Sequence, residues 1–194
     1  MYMYGSLSNR LDVIIRDGNK MALLVIDEHD DAVLPKKFES GNVIGSLLPK
    51  SSSVTAYQQR LLMFMQRMEI PVWCIKQRSN MYGPLRVQLR GLYNGTQKMI
   101  TKTGYNAFKN TTLHSDLQSQ GITHLVAMGW NANVCVAATL GVFTPRNKLE
   151  DENHGLGALQ LGYKILSTGD ILHGNGVISW AYHPSRMIEF FERF

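Results

Sequence analysis

The sequence has few features that would place the protein outside the cell or in a membrane. Its 194 residues include two cysteines, Cys74 and Cys135, which are too few for a disulfide framework. No apolar run approaches the length of a membrane span. Residues 1–20 carry charges where a signal peptide would be continuously apolar. These absences predict a cytoplasmic protein without membrane association.

Basic runs and RNA-binding aromatic motifs are also missing, although the formal net charge is +5. Lysine and arginine are scattered along the chain, which is typical of a solvated surface and argues against a nucleic-acid partner. Hydrophobic residues make up 44% of the chain, and no internal repeat is present. We therefore predict a single globular domain over residues 1–194.

Predicted strands alternate with predicted helices along the chain. This alternation favours the α/β class, with a mostly parallel, doubly wound sheet in three layers. The predicted strands cover residues 11–15, 21–26, 71–76, 98–102, 125–128 and 163–167. The predicted helices cover residues 54–68, 110–120, a segment from 134 onward with a continuation over 155–162, and 184–194.

Two residues capable of catalysis follow buried strands. Asp27 ends the strand 21–26, and the carboxyl ends of strands line the ligand crevice of an open α/β sheet. Cys135 opens a helix, where the helix dipole and unpaired amides favour a thiolate with a lowered pKa and can hold an oxyanion. Each residue also has a structural explanation, as a turn aspartate or a buried cysteine. Cys74 lies inside a strand and is expected to be buried and inert.

Three motifs occur in an order and spacing that resemble the isochorismatase-like cysteine hydrolases. They are Ala22-Leu-Leu-Val-Ile-Asp27, Lys102-x-x-Tyr105-Asn106-Ala107-Phe108-x-x-Thr111-x-Leu113 and Gly129-x-x-x-Asn133-Val134-Cys135-Val136-x-x-Thr139. The resemblance covers about residues 20–170, which leaves residues 1–20 as an N-terminal extension. It implies a six-stranded, mostly parallel sheet flanked by helices, and a catalytic triad of Asp27, Lys102 and Cys135.

The resemblance also implies a role for each member of the triad. Cys135 is expected to be the nucleophile, with its thiolate favoured by the Lys102 ammonium. Asp27 is expected to take the thiol proton, donate it to the leaving amine and later activate water. A non-proline cis peptide is implied at Trp130-Asn131, so that the backbone N–H groups of Asn131 and Cys135 form the oxyanion hole. Trp130 is then either a wall of the pocket or a core residue.

The metal-binding Asp-x-His of nicotinamidases in this family is not found between Asp30 and Lys102. The chain has one such pattern, Asp27-Glu28-His29, in consecutive loop residues where a chance match is expected, so we predict neither a metal nor another cofactor. Nicotinamide is disfavoured as a substrate for the same reason. His29 is a candidate substrate contact, and a solvated loop side chain is the alternative.

The resemblance suggests one substrate class and leaves others open. True isochorismatases, which cleave a vinyl ether, generally lack the cysteine, so Cys135 favours cleavage of a C–N bond in a small carboxamide or ureido substrate. The alternatives are vinyl-ether hydrolysis and a drifted family member that serves as a structural or partner-binding subunit. Family members commonly self-associate, so we expect a homo-oligomer.

The segment after Cys135 is longer than the usual family helix. We predict an insert over about residues 144–155, from Thr144-Pro145-Arg146 through His154, because a proline ends a helix.

Overall fold

Seven parallel strands form one sheet in the computed structural model of the chain, which describes residues 2–28, 51–78, 89, 97–142, 155–174, 178–182 and 187–194. The strands are β1 (Tyr2–Ser6), β2 (Met21–Ile26), β3 (Val72–Gln77), β4 (Lys98–Lys102), β5 (His124–Gly129), β6 (Lys164–Thr168) and β7 (Ile188–Arg193). The α-helices are α1 (Leu7–Arg16), α2 (Ser51–Arg67), α3 (Leu113–Ser119) and α4 (Ala137–Leu140). The strand order is β1-β7-β6-β5-β2-β3-β4.

The central strands β2 and β5 explain where the functional crevice lies. Every residue of both strands is buried, as expected of parallel strands that are covered on both faces. They pair in register from Met21 opposite His124 to Ile26 opposite Gly129. The chain continues from β2 toward β3 and β4, and from β5 toward β6 and β7, so the order of the strands reverses between β2 and β5. In such sheets ligands bind at the carboxyl ends of the two strands that flank this reversal.

The predicted α/β, doubly wound parallel sheet is confirmed, and β1 extends it by a further strand at one edge. The predicted strand over residues 98–102 coincides with β4, and the other central strands agree within one or two residues. Cys74 is buried in β3, as expected.

The strand predicted for residues 11–15 is wrong, because this segment belongs to helix α1. Leu7, Leu11 and Ile14 are fully buried on one side of the helix, at the spacing of four and three residues that an α-helix requires. The Ser6 hydroxyl accepts a hydrogen bond from the Asn9 amide and caps the helix. This cap and this spacing are sequence signals of a helix, but the short apolar run at residues 11–15 also suits a strand.

The helix predicted for residues 184–194 is also wrong, because Ile188–Arg193 forms strand β7 between β6 and β1. Ile188, Phe190 and Phe191 are buried in the core. Their spacing suits a helical face as well as a strand, and pairing with β6 decides between the two.

The helix that follows Cys135 ends earlier than Pro145. Helix α4 stops at Leu140, and Gly141 closes it in the left-handed conformation with φ of 78°. Residues 155–157 are irregular and residues 158–162 form turns, so their predicted helical continuation is wrong. The amides of Ala158 and Leu159 nevertheless bond to the carbonyls of Thr139 and Leu140 at the end of α4. Residues 143–154, which contain most of the predicted insert, lie outside the described residues.

Among the described residues, none of the helices combines the length and the apolar character that a bilayer crossing needs.

Candidate active site

Asp27 and Lys102 form a buried ion pair at the carboxyl edge of the sheet. Asp27 follows β2 and Lys102 ends β4, and their Oδ2 and Nζ atoms are 2.7 Å apart. Lys102 is 0% exposed and Asp27 is 5% exposed. The ammonium also donates hydrogen bonds to Gln77 Oε1 at 2.9 Å and to the Gly104 carbonyl at 3.0 Å. Since an ammonium has three N–H groups, these three acceptors fix its direction.

Gln77 is a site residue that the sequence analysis missed, because its segment reads as the start of a polar crossover. It is the last residue of β3, the strand between β2 and β4. A polar residue at the carboxyl end of a strand between two others is a signal that could have revealed it. Its side-chain carbonyl helps to hold the Lys102 ammonium beside Asp27.

Cys135 lies in a π-helical turn, Ala132–Val136, that precedes helix α4. The carbonyl of Asn131 accepts hydrogen bonds from the amides of Val134 and Val136, and its side chain accepts one from Asn133. Single π turns in otherwise α-helical segments are frequent at functional sites. The Cys135 thiol is within hydrogen-bonding reach of both the Asp27 carboxylate and the Lys102 ammonium. The structure thus brings together the three residues that the motifs single out.

The lowered pKa expected for Cys135 is wrong. Burial raises the pKa of the Cys135 thiol to about 12, and the negative charge of Asp27 contributes in the same direction. The Lys102 ammonium acts in the opposite direction but is outweighed. The resting group at neutral pH is therefore a thiol beside a carboxylate, so a proton must move before sulfur can attack a carbonyl.

Replacing Asp27 with asparagine is expected to lower the pKa of Cys135, although it removes the base that the chemistry needs. The substitution removes a negative charge and leaves the Lys102 cation, so the pKa of the Cys135 thiol is expected to fall by about one to three units. The pKa is measured by the ultraviolet absorbance of the thiolate, with the corresponding Cys135→Ser proteins as the background. An unchanged or higher pKa in Asp27→Asn would contradict the assigned cause.

The turn between β5 and Cys135 is held by residues that follow β6. The peptide bond between Trp130 and Asn131 is cis, at the position that the motif implies. The His173 amide donates to the Gly129 carbonyl at 2.9 Å, and the His173 carbonyl accepts from the Ala132 amide at 2.8 Å. The Trp180 indole donates to the Ala132 carbonyl at 2.8 Å. Trp130 itself remains partly exposed at the edge of the site.

The other motif residues connect the segment after β4 to the cysteine helix. The Thr139 hydroxyl accepts a hydrogen bond from the Ala107 amide, and the Asn106 side chain donates to the carbonyl of Leu156. These contacts give Asn106 and Thr139 a structural explanation. His29, the candidate substrate contact, lies outside the described residues. Over the ranges that the structure describes, no group of three or more His, Cys, Asp or Glu residues could hold a metal ion.

The chain is similar in sequence to a family of known domains and to one curated enzyme. The model of the family described as Isochorismatase domain matches residues 21–141. A ureidoacrylate amidohydrolase, RutB from Variovorax paradoxus (strain S110), is 50% identical over 42 residues, which are 22% of this chain. That match spans 17% of the length of RutB.

Solved structures of several hydrolases share the fold. The nicotinamidase SaPncA from Staphylococcus aureus has a TM-score of 0.63 at 17% identity, over 90% of this chain and 98% of its own. An N-carbamoylsarcosine amidase from Thermoplasma acidophilum has a TM-score of 0.61 at 18% identity, over 89% of this chain and 95% of its own. An isochorismatase-like hydrolase from Alkaliphilus metalliredigens has a TM-score of 0.63 at 18% identity, over 89% and 92%. At these identities the likeness establishes the fold alone.

Proposed function

Since the chain belongs to the isochorismatase family, we propose that it is a cysteine hydrolase that cleaves a C–N bond of a small carboxamide or ureido compound. The observation that carries the proposal is the meeting of Cys135 with Asp27 and Lys102 at the strand reversal. A thiol, a carboxylate and a buried ammonium within hydrogen-bonding reach supply a nucleophile, a base and a charge partner. No metal is needed for this chemistry.

The first half of the proposed reaction forms a thioester. Sγ of Cys135 attacks the substrate carbonyl carbon while its proton moves to the Asp27 carboxylate. The resulting carboxylic acid gives this proton to the leaving nitrogen, the C–N bond breaks, and ammonia or an amine departs. The raised pKa of Cys135 supports a transfer to Asp27 during the attack, because little thiolate exists beforehand.

The second half of the proposed reaction hydrolyses the thioester. Asp27 takes a proton from a water molecule whose oxygen bonds to the carbonyl carbon, and the C–S bond breaks. The proton held by Asp27 then returns to sulfur, which restores the resting thiol. Lys102 keeps its position through its contacts with Gln77 and Gly104 and stabilises the thiolate each time it forms.

The oxyanion of both tetrahedral intermediates is assigned to the backbone amides of Asn131 and Cys135. Asn131 follows the cis peptide, and Cys135 lies in the first turn of its helix, where amides lack a carbonyl partner in the same helix. Donors that are fixed in advance typically contribute more than any other single effect in acyl transfer. Trp130, partly exposed beside them, is proposed as a wall of the substrate pocket.

The proposal of a ureido compound as substrate is supported by the names of two similar proteins. RutB is a ureidoacrylate amidohydrolase, and the amidase from Thermoplasma acidophilum acts on N-carbamoylsarcosine, another ureido compound. The local sequence match to RutB supports this class of substrate and identifies neither compound. We also propose that the protein self-associates into a homo-oligomer and that it is located in the cytoplasm.

Ammonia release from a panel of small primary amides and ureido acids tests the proposed function. The wild type is expected to release ammonia from at least one compound, and Cys135→Ala is expected to be slower by a factor on the order of a thousand or more. Cys74→Ala is the matched control, because Cys74 is buried in β3 away from the site and its loss should leave the rate per folded molecule unchanged. Equal release by Cys135→Ala would contradict the proposed nucleophile. Hydrolysis of vinyl ethers alone would favour the isochorismatase-type alternative.

A further inference from the structure

A second polar cluster lies next to the candidate active site and takes no part in the reaction proposed above. It consists of Glu28, Gln58 and His173, which come from the residue after Asp27, from helix α2 and from the segment after β6. Glu28 and Gln58 are 0% exposed, and His173 is 8% exposed. A buried carboxylate requires an explanation, because acidic side chains are almost never fully buried unless they are paired.

The side chains of the cluster connect three parts of the fold. Gln58 Nε2 donates to Glu28 Oε1 at 2.6 Å and to the Ile171 carbonyl at 3.0 Å. His173 Nε2 lies 3.8 Å from the same Glu28 oxygen. Glu28 is therefore hydrogen-bonded to helix α2 and, through Gln58, is linked to the segment that follows β6, with the His173 ring nearby.

The backbone of His173 is hydrogen-bonded to the turn that contains the Trp130-Asn131 peptide bond. Its amide and its carbonyl bond to the Gly129 carbonyl and the Ala132 amide, one on each side of the cis peptide bond. On the other side of the cluster, Glu28 is bonded directly to Asp27, whose φ of 51° is unusual for a residue other than glycine. Glu28 thus lies between the proposed base and the turn that carries the proposed oxyanion amide.

Stability alone does not account for a carboxylate at this position. Replacing a whole buried group of polar or charged partners with apolar side chains of similar size is often neutral or stabilising. Apolar residues at positions 28, 58 and 173 would pack together without the penalty of taking a charge out of water. The directional contacts of the carboxylate are what an apolar residue would lose.

We propose that Glu28 is a positioning residue, which sets the Asp27 segment and the Trp130-Asn131 turn in a fixed relation through Gln58 and His173. Its role in catalysis rests on the proposed function, since it acts through the base and the oxyanion amide. Its effect on the turn does not rest on that function, and it can be measured without a substrate.

Hydrogen exchange of the backbone amides, followed by mass spectrometry, tests this role in the whole protein. In Glu28→Met, the amides of residues 130–136 are expected to exchange faster by about tenfold or more, while those of β3 keep the wild-type rate. Glu28→Gln keeps an acceptor for Gln58 and is expected to stay within about threefold of the wild type. Leu61→Val, one turn further along α2, is the matched control, because it shortens a fully buried side chain and leaves Glu28, Gln58 and His173 unchanged.

The outcomes separate a positioning role from a structural one. Faster exchange confined to residues 130–136 in Glu28→Met supports the proposal. An unchanged rate there, or uniform acceleration like that of Leu61→Val, would overturn it. With an amide that the wild type hydrolyses, Glu28→Met is expected to lower kcat by about ten- to a hundredfold with KM nearly constant, and Glu28→Gln should restore most of it. A wild-type kcat in Glu28→Met would also overturn the proposal, whereas a wild type that hydrolyses nothing would count against the proposed function alone.

Discussion

Replacing Lys102 with methionine is expected to lower the free energy of unfolding by about 3–5 kcal/mol, in addition to abolishing the proposed hydrolysis. The ammonium is completely buried and is the charge partner of Asp27, which is itself 5% exposed. Methionine fills a similar volume but leaves the carboxylate in the interior without a cation. The loss therefore arises from an uncompensated charge rather than from a cavity.

A double variant separates this cause from a loss of packing. Asp27→Asn combined with Lys102→Met removes both charges, so most of the lost free energy of unfolding is expected to return while the protein stays inactive. Urea unfolding followed by tryptophan fluorescence gives the free energies of the wild type, both single variants and the double variant. Lys164→Met, at an exposed position of β6, is the control and should change stability by no more than about 0.5 kcal/mol. A double variant as unstable as Lys102→Met would show that charge is not the cause.

The centre of the sheet and the position of Asp27 are predictable because their signals are local. The apolar run from Met21 to Ile26 identifies a central parallel strand without knowledge of its neighbours. Asp27 follows this strand, and the carboxyl ends of parallel strands line the ligand crevice. Lys102 ends β4, which lies at one edge of the described sheet and has three exposed residues, so its role is implied by the resemblance of its motif rather than by its strand.

The ends of the chain are less predictable, because their structure depends on distant partners. The aromatic run of β7 becomes a strand through pairing with β6 and β1, and β1 comes from the opposite end of the sequence. Short apolar runs of this kind suit a helix or a strand until a partner is known. The cluster of Glu28, Gln58 and His173 is hidden for the same reason, since nothing local indicates that these residues meet.

The pKa of Cys135 shows how a local argument can give the wrong sign. The position at the start of a helix favours a thiolate, and so does the Lys102 ammonium. Burial and the Asp27 carboxylate raise the pKa and outweigh the Lys102 ammonium, and they depend on how β2, β4 and the cysteine turn meet. The motif identifies the residues that we propose to react, but the tertiary structure determines which of them holds the proton.

Replacing Gly129 with alanine is expected to lower the free energy of unfolding by about 4 kcal/mol or more, or to prevent folding altogether. An added Cβ would lie 2.0 Å from the Ile26 carbonyl oxygen and 2.8 Å from the Ile26 amide nitrogen. This carbonyl is not free to move aside, because it accepts a hydrogen bond from the Trp130 amide at 2.8 Å. The φ of 139° at Gly129 adds a second penalty for any residue with a side chain.

Gly162→Ala is the matched control, because Gly162 also has a positive φ, of 87°, but an added Cβ meets nothing within 4 Å. Gly162→Ala is expected to lower the free energy of unfolding by about 1 kcal/mol, which measures the conformational penalty alone. Thermal unfolding of both variants is the measurement, and the additional loss in Gly129→Ala is due to the close approach to Ile26. Similar losses of unfolding free energy in the two variants would show that the added Cβ at position 129 does not clash with Ile26. Ile26 precedes Asp27, and Gly129 precedes the Trp130-Asn131 peptide, so the close approach of Ile26 and Gly129 helps to set the distance from the proposed base to the proposed oxyanion amide. A folded Gly129→Ala protein should therefore also lose the hydrolase activity proposed for the site, beyond what its lower stability explains.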